Sequence, residues 1–367
     1  MSLARDIVDR IFLPNRDVHA IPVLDGGFSP NERLNSAPVL GASLDAPDAL
    51  AFDDRGTLYV STGRKILSCS GQEFKTRRVL VELEDAVGAL AWSPRSGLVA
   101  CVSNRGVCSI GEDGQIKGWL EQASGDPIRC ATAVACAADG AIYVTDGSRH
   151  NRAEQWKLDL MQKRAPSGRL IGCDADLRNA RVIADNLDWP AGVVVTHDQK
   201  SVFVAESWTH RLTEYGRGDD RSRLVVKNCA GYPSRLSRAS DGCYWLACFA
   251  LRTQLTEFIL REHAFRTRMM TDVPQPLWAG PSLGGAFDPR EPTQIGRIKK
   301  LGIQKPWAPP RSYGLVARLD PVGHAVESFH SRASGQFHGV TCVVEGHGRV
   351  LAVSKGHGKL AELSRGD

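Results

Sequence analysis

The sequence has no long apolar run. Nowhere do about 18 apolar residues follow one another, which is what a membrane-spanning helix requires, and charged residues interrupt the N-terminal stretch 1–18. We therefore expect no membrane span, no signal sequence and a cytoplasmic location. A net charge of +5 spread over 367 residues is too small to predict binding to nucleic acid or to a membrane surface.

Several site motifs are also missing. Ten cysteines occur without a CxxC pair or another metal-type spacing, so we expect reduced, mostly buried thiols. The chain contains no HExxH motif and no P-loop, which are the usual marks of two enzyme classes. The segment GPSLGG (280–285) is glycine-rich and has the GxSxG spacing, but it precedes no clear helix after a strand, so we interpret it as a loop and not as a nucleophile elbow. The sequence thus predicts no cofactor from a motif, and it leaves the oligomeric state open.

An internal repeat is the main positive signal. Each copy is an apolar strand, a polar turn and a second apolar strand, and the turn residues Gly56, Gly97 and Gly140 recur at intervals of 41 and 43 residues. This interval is typical of a four-stranded propeller blade. The six copies are 49–62, 89–102, 133–146, 192–206, 235–248 and 341–354. We therefore predict an all-β fold, a six-bladed β-propeller.

Two gaps in the repeat are longer than the others. We interpret them as helical or loop insertions after blades 3 and 5, at about 147–168 and 252–310. The propeller then forms one domain, 40–367. The preceding segment, 1–39, is expected to pack on the propeller and is a candidate to close the last blade.

One face of the disc is predicted to hold the functional site. Residues just before the first strand and just after the second strand of every blade share that face, where the axial channel opens, and propeller ligands generally bind there. The candidate substrate-binding residues are Asp48, Thr132, Ala191, Trp208, Tyr232, Ser234, Thr341 and Lys355.

Four stretches resemble the strictosidine synthase-like proteins, which are related to the senescence-marker/gluconolactonase proteins and the paraoxonases. They begin with DGAIYVTDGSR (139–149), VFVAESWTHRLTEY (202–215), GYPSRLSRASDGCYWLA (231–247) and PPRSYGLVARLDPVGHAVESFH (309–330). Together with the segments that follow them they cover most of residues 40–363. The resemblance implies a six-bladed propeller with a small-molecule site at the top of the channel.

The resemblance also implies what a metal site would need. Many such relatives bind one calcium ion through a carboxylate and side-chain amides, and calcium requires six to eight oxygen ligands. The matching positions here are Asp48, Thr132, Ala191 and Ser234, which form a degenerate set. We therefore expect no metal ligands and treat calcium as disfavoured. Thr341 matches the glutamate that serves strictosidine synthase as acid and base, which argues against amine–aldehyde condensation.

Three titratable residues are candidates for catalysis. Asp146 and Glu206 end second strands, and His338 enters the last blade. Histidine titrates near neutrality and can act as a general base. Each residue also has a structural alternative: Asp146 as acceptor of loop amides, Glu206 as partner of Arg211, and His338 as a hydrogen-bonding loop residue.

The leading functional hypothesis is a hydrolase of lactones or esters that does not depend on calcium, as the resemblance to lactonase-type relatives implies. The alternative is a propeller that binds a small molecule without catalysis, which the degenerate ligand set favours. Strictosidine synthase-type condensation comes third. The expected partner in each case is a small molecule.

Overall fold

In the computed structural model of this protein, six antiparallel sheets are arranged around a central channel. It describes residues 28–284, 299–300, 303–304, 312–332 and 335–365. The first strands of neighbouring blades pack on one another all round the ring, and blade 6 packs against blade 1. The predicted six-bladed β-propeller is therefore confirmed.

The first three blades each have four strands in sequence order. Blade 1 comprises Pro47–Phe52, Leu58–Thr62, Lys65–Ser70 and Thr76–Glu82. Blade 2 comprises Val87–Ser93, Gly97–Val102, Gly106–Ile110 and Ile116–Leu120. Blade 3 comprises Ala131–Cys136, Ile142–Asp146, Gly168–Cys173 and Arg181–Leu187. The turn residue Gly56 has a φ of +86°, a conformation that glycine adopts without steric cost.

Blades 4 and 5 also have four strands, and blade 6 has three within the described residues. Blade 4 comprises Pro190–Val195, Ser201–Glu206, Arg211–Gly216 and Ser222–Val226. Blade 5 comprises Gly231–Arg238, Tyr244–Leu251, Gly314–Leu319 and Ala325–Ser331. Blade 6 comprises Val340–Gly346, Arg349–Ser354 and Lys359–Glu362.

The N-terminal part of the described chain lies against blades 5 and 6. Val39 forms a β-bridge with Ala361 at the outer strand of blade 6. Leu34 is completely buried, and Arg33 pairs with Glu327 of blade 5 at 2.6 Å. Residues 1–27 of the predicted N-terminal segment lie outside the described residues.

Helices occur between the second and third strands of blades 3 and 5. Blade 3 carries a 3-10 turn, Ala153–Gln155, and helix α1, Trp156–Gln162. Blade 5 carries helix α2, Gln254–Arg261, helix α3, His263–Asp272, and a 3-10 turn, Gln275–Leu277.

Two short strands follow in the blade 5 segment, Lys299–Lys300 and Ile303–Gln304, and they pair with each other. A further short pair, Gln122–Ala123 with Asp126–Pro127, lies between blades 2 and 3, and a 3-10 turn spans Gln72–Phe74. Parts of the predicted 252–310 insertion lie outside the described residues. In the described part of the chain, no helix is long and apolar enough to cross a membrane.

The two helical segments pack together above one face of the disc. Leu160 and Met161 of α1 share an apolar cluster with Ile259 and Leu260 of α2 and with Met269 of α3. Burial of these side chains is the main force that holds the helices on the propeller. They cover the face at which the first strands begin.

Candidate functional site

A cavity of about 270 Å³ lies where the axial channel opens beneath the helical segments. Its wall includes residues at the start of first strands, such as Thr132, residues after second strands, such as Ser103, and residues of the blade 3 segment. The volume is near the lower limit of about 300 Å³ for small-molecule sites. The cavity therefore lies on the face that the sequence predicted.

An irregularity in every first strand positions the side chains of this cavity. The register of pairing between first and second strand shifts at the entry of each blade. In blade 5 the shift falls between Pro233 and Leu236. A bulge interrupts the alternation of side chains and re-aims them. As a result, the consecutive residues Ser234 and Arg235 both line the cavity.

Arg235, Asp48 and Lys355 form a charged cluster at the bottom of the cavity. Nη1 of Arg235 donates to Oδ1 of Asp48 at 2.6 Å and to the Asp48 carbonyl at 2.9 Å. Nζ of Lys355 donates to Oδ2 of Asp48 at 2.7 Å. Two cations and one carboxylate leave this cluster with a net charge of +1. We call these three residues the cationic triad.

The triad keeps Asp48 and Arg235 ionised. Burial by itself raises the pKa of Asp48, but the charges and hydrogen bonds of Arg235 and Lys355 outweigh burial and hold that pKa well below its ordinary value. Burial likewise acts to lower the pKa of Arg235, and the Asp48 carboxylate more than compensates for it, so that this pKa is raised. Asp48 is consequently a poor proton acceptor.

Arg235 retains donors that no group in the described part of the chain uses. Its Nε is buried without a hydrogen-bond partner, and Nη2 makes no hydrogen bond among the described residues. Space beside Nη2 exists because residue 88 is glycine: a Cβ there would lie 3.5 Å from Nη2. A buried N–H of a charged group without an acceptor is costly, so this side of the guanidinium is suited to donate hydrogen bonds to a ligand oxygen.

The oxygens at the calcium-like positions are already occupied. Oγ1 of Thr132 contacts the Pro190 carbonyl at 2.5 Å and the Thr145 carbonyl at 3.0 Å, and Oγ of Ser234 donates to the Thr341 carbonyl at 3.0 Å. Ala191 has no donor atom, and Asp48 is held by two cations. Calcium needs a cage of free oxygens, and these residues do not fit one. No cluster of three or more metal-ligating side chains occurs within the described ranges.

The upper wall combines a carboxylate with aromatic rings. Glu154, in the 3-10 turn before α1, accepts a hydrogen bond from Oγ of Ser103 at 2.7 Å, and both residues line the cavity. Trp156, Trp189 and Phe249 supply apolar surface. The rings of Trp156 and Phe249 pack edge to face with centroids 5.3 Å apart, which fixes their positions.

The three residues predicted to be catalytic do not line this cavity. Asp146 is completely buried and pairs with Nη2 of Arg169 at 2.5 Å. Glu206 is completely buried, and Arg211 donates to both of its oxygens, at 2.7 and 2.9 Å. His338 is 2% exposed, with Ser312 Oγ 2.7 Å from Nδ1 and the Arg332 carbonyl 2.8 Å from Nε2. Their catalytic roles stay predictions, and their contacts match the structural alternatives.

Most of the residues predicted to bind substrate do lie together on the cavity wall. They are Asp48, Thr132, Ala191, Ser234, Thr341 and Lys355. Trp208 stacks on the outer side of Trp189, with centroids 5.1 Å apart, and donates to Oδ1 of Asp159 in α1 at 2.9 Å. Tyr232 is completely buried, beside Phe249 at 5.5 Å.

Sequence reasoning missed the residues that give the cavity its charge and shape. Arg235 follows Ser234 directly, and a basic residue beside a degenerate ligand position was a usable signal. Glu154 and Trp156 lie in the blade 3 insertion, and no sequence pattern indicated that this insertion folds back over the channel.

Comparisons with known proteins agree with this architecture. A family model described as strictosidine synthase matches residues 133–217. The strictosidine synthase-like protein 6 of Arabidopsis thaliana is 27% identical over 58% of this chain and 59% of its own length. Strictosidine synthase-like protein 7 from the same plant is 26% identical over 43% of each chain. The chain thus spans about half the length of the curated relatives that it matches.

Solved structures with this fold include proteins described as lactonases and as calcium binders. A gluconolactonase from Xanthomonas campestris aligns over 90% of both chains with a TM-score of 0.58 and 16% identity. Regucalcin from Agrobacterium tumefaciens, described as a calcium-binding protein, aligns over 88% of this chain and 90% of its own, with a TM-score of 0.56 and 12% identity. At these identities the likeness to the solved structures shows the fold alone.

The family model, the curated relatives and the shared fold together confirm that this chain resembles the strictosidine synthase-like propellers.

Proposed function

We propose that the chain binds a small organic ester or lactone in the axial cavity and hydrolyses it without calcium. The observation that carries the proposal is the cationic triad, which brings positive charge to the axial cavity at Asp48, a position that the sequence resemblance matches to a calcium site. The description of one structural neighbour as a gluconolactonase supports the reaction class.

Each step has a group in the cavity wall to perform it. Arg235 and Lys355 are placed to polarise the substrate carbonyl and to stabilise the oxyanion that forms when water attacks the carbonyl carbon. Asp48 and Glu154 are the carboxylates of the described wall. Because Asp48 is bound by two cations, Glu154 is the better acceptor for the proton of the attacking water. The same proton is then transferred to the alkoxide as the carbon–oxygen bond breaks.

The proposal is tested by assaying aryl esters and lactones of graded size with and without a calcium chelator. We expect turnover that the chelator does not affect, and loss of about two orders of magnitude in kcat for Glu154→Gln, the usual range for a general base. Metal analysis of the purified protein should find no stoichiometric calcium. Stoichiometric calcium, or turnover abolished by the chelator, would contradict calcium independence.

Variants of the residues predicted from sequence are the natural comparison. Asp146→Asn and His338→Ala should retain kcat wherever the fold is intact by circular dichroism. If one of them abolishes turnover while folding normally, and Glu154→Gln remains active, the catalytic assignment moves to that residue.

A second candidate function is binding without catalysis. The observation that favours it is the shortage of carboxylates. Asp48 is held by two cations, and the three residues predicted to be catalytic do not line the cavity. Glu154 is thus the single carboxylate available in the described wall. Absence of turnover on every ester and lactone, combined with saturable ligand binding, would establish this alternative.

A further inference from the structure

The cavity has a cationic floor and an apolar wall. Arg235 reaches from blade 5 across the channel to Asp48 of blade 1, and the space beside its Nη2 is bounded by Gly88 of blade 2. Lys355 approaches the same carboxylate from blade 6. A ligand that enters the cavity therefore meets a net positive charge where side chains of blades 1, 5 and 6 converge.

The donors of this floor match one kind of ligand group. Nη2 of Arg235 has two N–H bonds unused by the described residues, and Nζ of Lys355 uses one of its three donors on Asp48. An arginine and a lysine together present the donor geometry that a carboxylate requires, and hydrogen bonds between ionised groups are about twice as strong as neutral ones. Desolvation in a cavity strengthens these interactions further.

The wall above the floor matches a flat apolar body. Trp156, Trp189 and Phe249 come from the blade 3 segment, the start of blade 4 and the end of the second strand of blade 5. Trp189 is backed by Trp208 at an interplanar angle of 22°, so its ring is held firmly. Aromatic side chains bind rings through offset or edge-to-face packing.

We propose that this cavity binds an organic acid whose carboxylate lies on Arg235 and Lys355 and whose ring-sized apolar body lies among Trp156, Trp189 and Phe249. The inference rests on the proposed function only in placing the ligand in the axial cavity. The acid is either the product of ester or lactone hydrolysis or the ligand of a non-catalytic protein. The same side chains bind the acid in both cases.

Glu154 gives the proposal a distinctive consequence. Its carboxylate lies on the wall of the same cavity and repels an incoming anion, and replacing it by glutamine removes that repulsion without removing a side chain of similar size. Glu154→Gln should therefore strengthen binding of an acid, whereas the same change lowers kcat by about two orders of magnitude if Glu154 is the base.

The test is calorimetric titration of the full chain with three acids, each paired with its neutral amide: benzoate, phenylacetate and indole-3-acetate. We expect at least one acid to bind about tenfold or more tightly than its amide, a difference of 1.4 kcal/mol. Added salt should weaken the acid and leave the amide unchanged.

Three variants locate the carboxylate. Lys355→Gln should abolish the preference for acid over amide. Gly88→Ala, whose methyl group fits at ordinary contact distance from Nη2, should reduce acid affinity while keeping the triad intact. Glu154→Gln should raise acid affinity several-fold. Thermal unfolding of each variant shows whether it is folded.

The possible outcomes separate this inference from the proposed hydrolysis. Acids that bind selectively to a protein without esterase or lactonase activity support the inference and contradict hydrolysis. Turnover of neutral esters by a protein that binds acid and amide equally supports hydrolysis and overturns the inference. Binding of none of the three acids, or a preference that survives Lys355→Gln, also overturns it.

Discussion

At the scale of single residues, Arg235 decides the chemistry of the channel. Its guanidinium satisfies the Asp48 carboxylate, and it carries permanent charge, because its pKa is far above neutrality. A chelator can remove a bound metal ion, whereas an arginine is covalently part of the chain. The positive charge of this site therefore does not depend on the metal content of the solution.

Removing this charge should be strongly destabilising. In Arg235→Met, Asp48 keeps only Lys355 as a cation, and breaking a buried pair by removing one partner typically costs about 3–5 kcal/mol. We expect a loss of about 3 kcal/mol in the free energy of unfolding, measured with urea. The double variant Asp48→Asn, Arg235→Met should recover part of it, because the buried carboxylate is then gone and the Lys355 side chain, which is 32% exposed, can be solvated. A single variant as stable as the wild type would contradict this account of the triad.

Asp188 should make stability depend on pH. Burial, and then the Glu206 carboxylate, raise the pKa of Asp188 to about 6, above the ordinary 3.8 of an aspartate. A raised folded-state pKa favours the protonated form, so this contribution to stability is fully present below pH 3.8 and is lost as the pH rises through 6.

Asp188→Asn should therefore be more stable than the wild type at pH 7, by at most about 3 kcal/mol for a shift of roughly two pKa units. The difference should vanish near pH 4. Urea unfolding of both proteins at several pH values measures it, and a difference that does not change with pH would rule out Asp188 as its source.

At the scale of elements, bulged first strands and packed helices form the site together. The bulges turn consecutive residues toward one cavity, and the helical segments supply its upper wall. Helix α2 is anchored through Glu257, which accepts from Nε of Arg252 at 3.0 Å and lies 3.5 Å from Nε2 of His210. Burial raises the pKa of Glu257, but the contacts with His210 and Arg252 outweigh it and lower that pKa to about 2.

Weakening the N-terminal cap of α2 tests what holds this helix on the propeller. Oγ1 of Thr253 accepts from the backbone N–H of Thr256 at 3.2 Å and caps the helix. Thr253→Ala should reduce helix stability by about 1 kcal/mol, so hydrogen exchange across residues 254–261 should become several-fold faster. Thr253→Ser keeps the cap and should exchange like the wild type. Equal protection in the alanine variant would mean that packing alone holds α2 in place.

At the scale of the whole molecule, the ring must close for the cavity to exist. Blade 6 has three strands of its own, and the bridge of Val39 with Ala361 adds chain from the opposite end of the sequence. Leu34 is packed in the same apolar cluster as Phe329 and Phe337. Contacts so distant in sequence tie the first described residues to the last blades.

Leu34→Ala tests this closure. The variant leaves a void in a fully buried site, which typically costs about 2–5 kcal/mol, and we expect the urea midpoint to fall accordingly. Val39→Ala, at a side chain that is 48% exposed, is the matched control and should change the midpoint little. If Leu34→Ala is as stable as the control, these residues do not contribute to closure.

The internal repeat was enough to predict the propeller and the face that carries the cavity. A strand–turn–strand unit repeated at a constant interval allows few other arrangements, and the residues bordering its strands must gather where the channel opens. Asp48, Thr132, Ala191, Ser234, Thr341 and Lys355 were found in this way. The sequence also predicted a degenerate set of calcium-type ligands, because the Ala191 side chain carries no oxygen, and metal analysis is the test of that prediction.

Only the tertiary structure decided which charged groups meet. Strict alternation in a strand puts Ser234 and Arg235 on opposite faces, and a bulge, which a single sequence does not reveal, brings both to the cavity. Asp146 and Glu206 have positions in the chain like those of the cavity residues, yet Arg169 and Arg211 on the adjacent third strands engage them. Whether a carboxylate meets an arginine, a ligand or water depends on which distant side chain fills the space beside it.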